Sequence, residues 1–499
     1  MHSSLWPNLL VAVPLLGALA SLALRRRAGA SYVAGLVTMS VETVLAVLTA
    51  LLYNSGLAGA SGFDFASRTV LSAPLGLAWD VSIDGISLFL VVLSSFTTFL
   101  ALAGARETRR EASFVGWLLA LTAFAQGSFV SHDLLLFFLF FEATLVPSYF
   151  LVSQWGGPER SRAALKFFVY TFTGSAPLFA GLLYLGYAHQ HETGNALTFA
   201  YGDLTATSLS TSTAVWLFVA FAAAFAVKSP IWPFHTWSPL TYAEAPTGAA
   251  IVFSALLAKM GGYGLLRYAV GLLPGALPHV RGVVSVLAII GILYGSMVAC
   301  ATPDLKRLLA YSSLAQMGFV TLGVMSTSLI ATEGAVLLMF NHGVIALGLF
   351  LLVGFIEKRR GSYAIADLSG LQGPAPVMAA LFTLVMLASI GLPGLSGFVS
   401  EFLVLLGTYN VHPWFALTAA LGVIAAAAYL LWAYQRVFHG EATGANAQLA
   451  DLTTRERLTM APVAALVVFI GVYPKPFLQM MEPAVRALLI HVDPTGLPR

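Results

Sequence analysis

The sequence predicts an all-α polytopic membrane protein of about fourteen transmembrane helices, and two observations carry that expectation. Of 499 residues, 58% are apolar and only 9% are charged, whereas a soluble chain carries about a quarter charged residues. The apolar residues also fall into blocks of about 20 separated by short polar breaks, the length that crosses roughly 30 Å of hydrocarbon as a helix.

In chain order the blocks lie near 5–24, 31–54, 84–105, 113–130, 134–154, 164–188, 212–238 and 246–271, then near 281–302, 308–329, 332–356, 375–407, 413–438 and 460–482. The first lacks a basic start and runs directly into Arg25, Arg26 and Arg27, so it reads as a retained anchor and not as a cleaved signal peptide. The longest stretches between blocks, near 55–83, 189–211 and 439–459, are too short to fold alone. Residues 1–499 therefore read as a single transmembrane domain.

The loop charges orient the series, because cytoplasmic loops collect Lys and Arg. With the N-terminus outside, seventeen basic residues fall inside: Arg25, Arg26, Arg27, Arg106, Arg109, Arg110, Arg160, Arg162, Lys166, Lys306, Arg307, Lys358, Arg359, Arg360, Arg436, Arg455 and Arg457. Six fall outside, namely Arg68, Arg267, Arg281, Lys475, Arg486 and Arg499, and Lys228 and Lys259 lie within spans. This places both termini on the outer side of the membrane. A net charge of +3 explained by loops gives no argument for nucleic acid. One cysteine, Cys300, excludes an intrachain disulfide and any cysteine-caged cluster. No cofactor is expected in the chain, and any redox centre belongs to a partner.

Four charges in particular cannot be explained by loops: Glu142 in FLFFEATLVPSYFL, Lys228 in FAVKSPIWPFHTW, Lys259 in ALLAKMGGYG and Glu401 in GLPGLSGFVSEFL. Each costs about 2.5–3.5 kcal/mol at mid-span on insertion scales, so each needs a partner, a water path or a function. A structural ion pair or a snorkelling side chain accounts for any one of them, but less readily for four. A buried lysine changes its proton affinity with the distance to a carboxylate, so Glu142 and Lys228 make a pair able to load and unload a proton. His235, seven residues after Lys228, falls on the same face of a regular helix, and His342 in MFNHGVIAL is a second imidazole at membrane depth.

The backbone is interrupted at the same places. Pro230 and Pro233 follow Lys228 and free the carbonyls of Ala226 and Ser229, while Gly391, Pro393, Gly394 and Gly397 precede Glu401. Paired breaks at membrane depth point to an ion pathway in repeat-built transporters. They lie five helices apart, which fits repeats over 113–271 (helices four to eight) and 281–438 (helices nine to thirteen).

These segments resemble the antiporter-like membrane subunits of respiratory complex I, chain M of NADH-quinone oxidoreductase in particular. The most specific are FFEATLVPSYFLVSQWGG with RAALKFFVYTFTGSAPL, KSPIWPFHTW, EAPTGAAIVFSALLAKMGGYGLLR, DLKRLLAYSSLAQMGF and GLPGLSGFVSEF, and the likeness runs from DGISLFLVVLSSF at Asp84 to the last span. It implies a fourteen-helix fold with inverted repeats and discontinuous helices seven and twelve. It also implies a proton route from Glu142 and Lys228 through Lys259 to Glu401, the glutamate that chain M has where relatives more often carry lysine. Two positions depart from the pattern. Pro239, Leu240, Thr241 and Tyr242 stand where chain M reads close to Pro-Asp-Ala-His, and Gln316 stands where a histidine is common.

The function expected is thus a proton-translocating subunit of an NADH:quinone oxidoreductase, sited among other membrane-arm subunits in the lipid bilayer, with protons as its cargo. The alternatives are a subunit of a multisubunit sodium/proton antiporter and a structural spacer of a membrane arm.

Overall fold

A computed structural model of the protein describes residues 5–24, 26–53, 63–105 and 112–493. Arg25, Arg106, Arg109, Arg110 and Arg499, counted in the loop-charge argument, lie outside the described residues.

Helices α1 (Leu5–Ala23) and α2 (Ala28–Leu52) open the chain and pack on each other. Strands β1 (Phe63–Ser72) and β2 (Leu77–Asp84) follow as an antiparallel hairpin with Phe63 opposite Asp84. The stretch read from sequence as a loop is therefore partly a β-ribbon. Its alternating FDFASRTV run is the signal. Next come α3 (Ser87–Gly104), α4 (Ala112–Val130), α5 (Leu134–Ala143), α6 (Leu145–Trp155), α7 (Arg160–Thr193) and the single turn α8 (Tyr201–Leu204). Then α9 (Thr211–Lys228) and the short α10 (Ser238–Glu244) flank a nonhelical break.

The eighth span is compound. Helix α11 (Thr247–Val252) and α12 (Ala258–Gly264) alternate with π-helical turns at Phe253–Leu257 and Leu265–Val270. The chain continues with α13 (Leu277–Ala301), α14 (Leu305–Ser326), α15 (Leu329–Arg360), α16 (Pro376–Ser389), α17 (Ser396–Val411), α18 (Pro413–Phe438), α19 (Thr454–Val472) and α20 (Lys475–Val492).

Side chains set many starting points. Asp133 accepts the Leu136 N–H at 2.8 Å to start α5, and Asp304 accepts that of Arg307 at 2.8 Å to start α14. Thr453 and Glu456 close a capping box at α19. Among the described residues, twelve spans are long and apolar enough to cross a membrane, and the bent pair α19 and α20 makes a thirteenth. The interrupted α16 and α17 occupy the place of the one remaining predicted span.

Burial sorts these spans into layers. The span Thr247–Val270, α14 and α15 are enclosed almost completely, whereas α2 is buried over little more than a quarter of its length. Polar groups on the enclosed helices cannot reach lipid headgroups by snorkelling, so their hydrogen bonds must be made inside the bundle.

Candidate functional site

Both breaks fall where the sequence places them. Helix α9 stops at Lys228; the Ser229 N–H still takes the Phe225 carbonyl at 2.8 Å, and that of Ile231 takes the Ala226 carbonyl at 2.9 Å. That carbonyl, expected to be open, is therefore satisfied. The twelfth span stops at Ser389 and resumes at Ser396, with Gly391 and Gly394 at φ of +74° and +90°, a region that glycine enters without steric cost. At Gly397 a Cβ would fall 1.9 Å from the Ala388 carbonyl. Only glycine lets α17 close on the end of α16.

The Lys228 ammonium is buried at the first break. It donates to Thr144 Oγ1 at 2.8 Å and to the Phe141 carbonyl at 3.5 Å, and stands 4.6 Å from the Phe141 ring centre. These acceptors lie where α5 gives way to α6, because Pro147 has no N–H for the Ala143 carbonyl. Glu142 is half-buried on the same turn, beside Ser175 and within electrostatic reach of Lys228, but the two form no ion pair within 4 Å. The pair expected from sequence is thus a proximity, with Thr144 holding the lysine.

His235 is not on the Lys228 face. The helix ends before it, so the seven-residue spacing has no periodic meaning there. Its ring packs edge-on against Tyr294 with centroids 5.1 Å apart, and its buried Nδ1 has no hydrogen-bond partner.

One residue past the break, Ser229 Oγ donates to the Ala258 carbonyl, immediately before Lys259. Lys259 is fully buried, and its ammonium donates to His342 Nδ1 at 2.6 Å and to the Ser254 carbonyl at 2.6 Å. With the ammonium as donor, Nδ1 accepts and the ring hydrogen is assigned to Nε2. Ser254 lies within the first π-helical turn, a distortion common at functional sites. Its hydroxyl pairs with that of Ser313 at 3.0 Å. One turn further along α14, Gln316 Nε2 donates to Glu401 Oε1 at 2.7 Å. Asn341, next to His342, donates to the Ser396 carbonyl at 2.8 Å and ties α15 to the second break.

Glu142 stands beside this arrangement without a bond to it. From Lys228, the polar groups of Ser229, Ser254, Ser313 and Gln316 mark a buried row past Lys259 to Glu401, in which Lys228 to Ser229 and Ser313 to Gln316 are neighbours along the chain and not hydrogen-bonded pairs. Each member can donate or accept, and Lys259 with His342 is its one direct contact between two titratable groups. Gln316, a departure from the expected pattern, is where the amide meets Glu401.

Two loop assignments are corrected. Arg267 is not in an outer loop but within the eighth span, where it is buried and paired with Asp84, between the rings of Tyr201 and Tyr263 at 5.8 and 5.7 Å. Lys306 is buried and paired with Glu357 at 2.9 Å. The sequence reading also passed over Glu42, a carboxylate inside the second apolar block that its own rule for charged residues in spans would have flagged.

Comparison with known proteins gives the family and the fold. The NADH:quinone oxidoreductase/Mrp antiporter transmembrane family matches residues 131–427. NADH-quinone oxidoreductase subunit M of Rhodobacter capsulatus is 41% identical over 430 residues, 84% of each chain. A chain of respiratory complex I from Thermus thermophilus with bound NADH superposes with a TM-score of 0.89 at 34% identity, covering 97% of this chain and 99% of that one. A chain of the Mrp complex from Dietzia shares the fold, with a TM-score of 0.84 at 22% identity over 99% and 98% of the two chains. The match spans more than half of the chain and takes in both breaks, so this protein belongs to the NADH:quinone oxidoreductase/Mrp antiporter transmembrane family.

Proposed function

We propose that the chain is the antiporter-like, M-type subunit of an NADH-quinone oxidoreductase. In that role it moves protons across a bacterial plasma membrane while partner subunits carry out the redox chemistry. The observation that carries this reading is the buried row from Lys228 through Lys259 and His342 to Gln316 and Glu401, which runs through the most enclosed spans of the bundle. In this reading residues 113–271 and 281–438 are inverted repeats, each presenting a broken helix to the row. Both termini face outward, and neighbouring membrane-arm subunits cover part of the exposed helices. Glu142 tunes Lys228 electrostatically: motion of α5 toward or away from the break changes their separation and so the affinity of the lysine for its proton. Lys259 receives that proton, His342 takes part in its relay, and Glu401 lies at the exit. His235 stands apart from this row and has no step in it.

The reading is tested in closed membrane vesicles containing the assembled complex. Glu142→Gln removes the charge that tunes Lys228 but keeps the shape, so pumping per electron should fall steeply while assembly is unchanged. A normal proton-to-electron ratio in that variant would count against the role of Glu142. Glu401→Gln leaves two amides facing each other across the 2.7 Å contact and removes the titratable group, so pumping should again be lost, with no dependence on sodium in the wild type. A saturable sodium requirement at fixed pH in reconstituted protein would make the chain a sodium/proton antiporter subunit instead. Full pumping by both variants would leave it as a spacer.

A further inference from the structure

Helix α2 carries a carboxyl group at membrane depth that the row does not use. Glu42 is fully buried, and its Oε1 accepts a hydrogen bond at 3.0 Å from Nε2 of Gln126 on α4. Its other oxygen, Oε2, and the amide oxygen of Gln126 are both enclosed and have no hydrogen-bond partner. Two side chains already joined thus each hold a spare acceptor, and buried acceptors normally find a donor. One hydrogen on Glu42 Oε2 answers both needs. The acid O–H then donates to the amide oxygen while the amide N–H donates to the acid carbonyl, closing a ring of two hydrogen bonds.

The surrounding charges lead to the same conclusion. The helices packed against α2 are α1, α3 and α4. None of the three contains Asp, Glu, Lys, Arg or His, and the only other titratable side chain on α2 is Tyr32, ten residues away. Arg455 of α19 also reaches α2, but at Tyr32, ten residues from Glu42. No cation stands among the four helices themselves to hold the carboxylate, and an ionised carboxyl group enclosed without one takes up a proton instead. The neighbouring hydroxyls do not extend the site. Thr122, one turn from Gln126, donates to the Leu118 carbonyl at 3.0 Å, and Thr98 meets Thr122 at 2.8 Å. This short chain ends there and reaches neither Lys228 nor Lys259.

We propose that Glu42 and Gln126 form a second proton-binding site in the membrane, separate from the row, whose resting form is a neutral acid–amide pair that clamps α2 to α4. The ligand is a single proton, held throughout turnover. The site repeats, away from the pathway, the acid–amide contact that Glu401 and Gln316 make within it.

Infrared spectroscopy of the intact membrane complex near neutral pH tests this directly. The Glu42→Gln spectrum should lack one protonated-carboxyl carbonyl band that the wild type has. Gln126→Lys, which supplies the missing cation, should lose the same band. Gln126→Leu, which keeps the surroundings apolar, should retain it at higher frequency because its hydrogen bond is gone. A Glu42→Gln spectrum that superposes on the wild type in this region overturns the proposal, as does loss of the band in Gln126→Leu. The expected pumping by Glu42→Gln is unchanged. Loss of pumping in that variant would overturn the silent-clamp assignment while leaving the proposed function of the chain untouched, so failures of the two readings are distinguishable.

Discussion

Lys259→Ala is expected to abolish proton pumping by the assembled complex, a loss of about a hundredfold or more, the scale on which a positioned proton-transfer group contributes. Lys259 makes the only direct contact between two titratable side chains in the row, to His342 at 2.6 Å, and its other acceptor is a backbone carbonyl. Alanine removes the ammonium without stranding an opposite charge, because neither acceptor is anionic. Taking an isolated cation out of a fully buried site relieves a desolvation cost, so the variant should assemble. Lys259→Arg separates charge from transfer. It keeps a cation beside His342 but cannot release a proton, so it too should pump poorly. Proton-to-electron ratios in vesicles, normalised to assembled complex, measure both. Pumping by Lys259→Ala equal to wild type would remove Lys259 from the pathway.

The second large effect is on stability. Arg267→Met leaves the Asp84 carboxylate enclosed without its cation, and breaking one side of a buried pair costs about 3–5 kcal/mol. The ratio of folded to unfolded protein then falls by about a hundredfold to several thousandfold. The pair joins α12 and its π-helical extension to the entry of α3. There Asp84 Oδ1 also accepts the N–H groups of Ile86 at 3.0 Å and Ser87 at 2.8 Å. Asp84→Leu loses this capping as well, and should be the more damaging single change. The double variant Asp84→Leu with Arg267→Met removes both buried charges, so it should be less destabilised than the sum of its parts. Thermal inactivation and yield of assembled complex report this ordering. An Arg267→Met protein as stable as wild type would show that the pair contributes nothing net.

Much of this was legible in the sequence because it depends on local rules. The apolar block length, Pro230 and Pro233 after Lys228, and the glycines before Glu401 each act within a few residues, and the structure breaks the chain at both places. What the sequence did not reveal depends on partners far apart in the chain. Nothing near Lys228 announces that Thr144 would hold it in place of Glu142, nor does anything near Gln316 announce Glu401, 85 residues away. Arg267 was misplaced because its charge counted it with the outer loop although the eighth block already ran to 271; what holds it inside is Asp84, 183 residues away. The His235 expectation failed because a period of 3.6 has meaning only while the helix lasts.

The π-helical turns also give the eighth span a surplus of residues, since each such turn accommodates one more residue than an α-helical turn would. Deleting a single residue between Phe253 and Leu257 would let this stretch relax to a plain α-helix with hardly any change in hydrophobicity. A widened turn of five residues and an α-helical turn of four bring the chain round by nearly the same angle, so Lys259 and Arg267 would keep nearly their headings relative to Thr247. What would be lost is the widened turn itself, which sets the Ser254 carbonyl against the Lys259 ammonium and the Ser254 hydroxyl against Ser313. The damage from such a deletion would therefore fall on the polar partners of Lys259 and not on the direction of the helix.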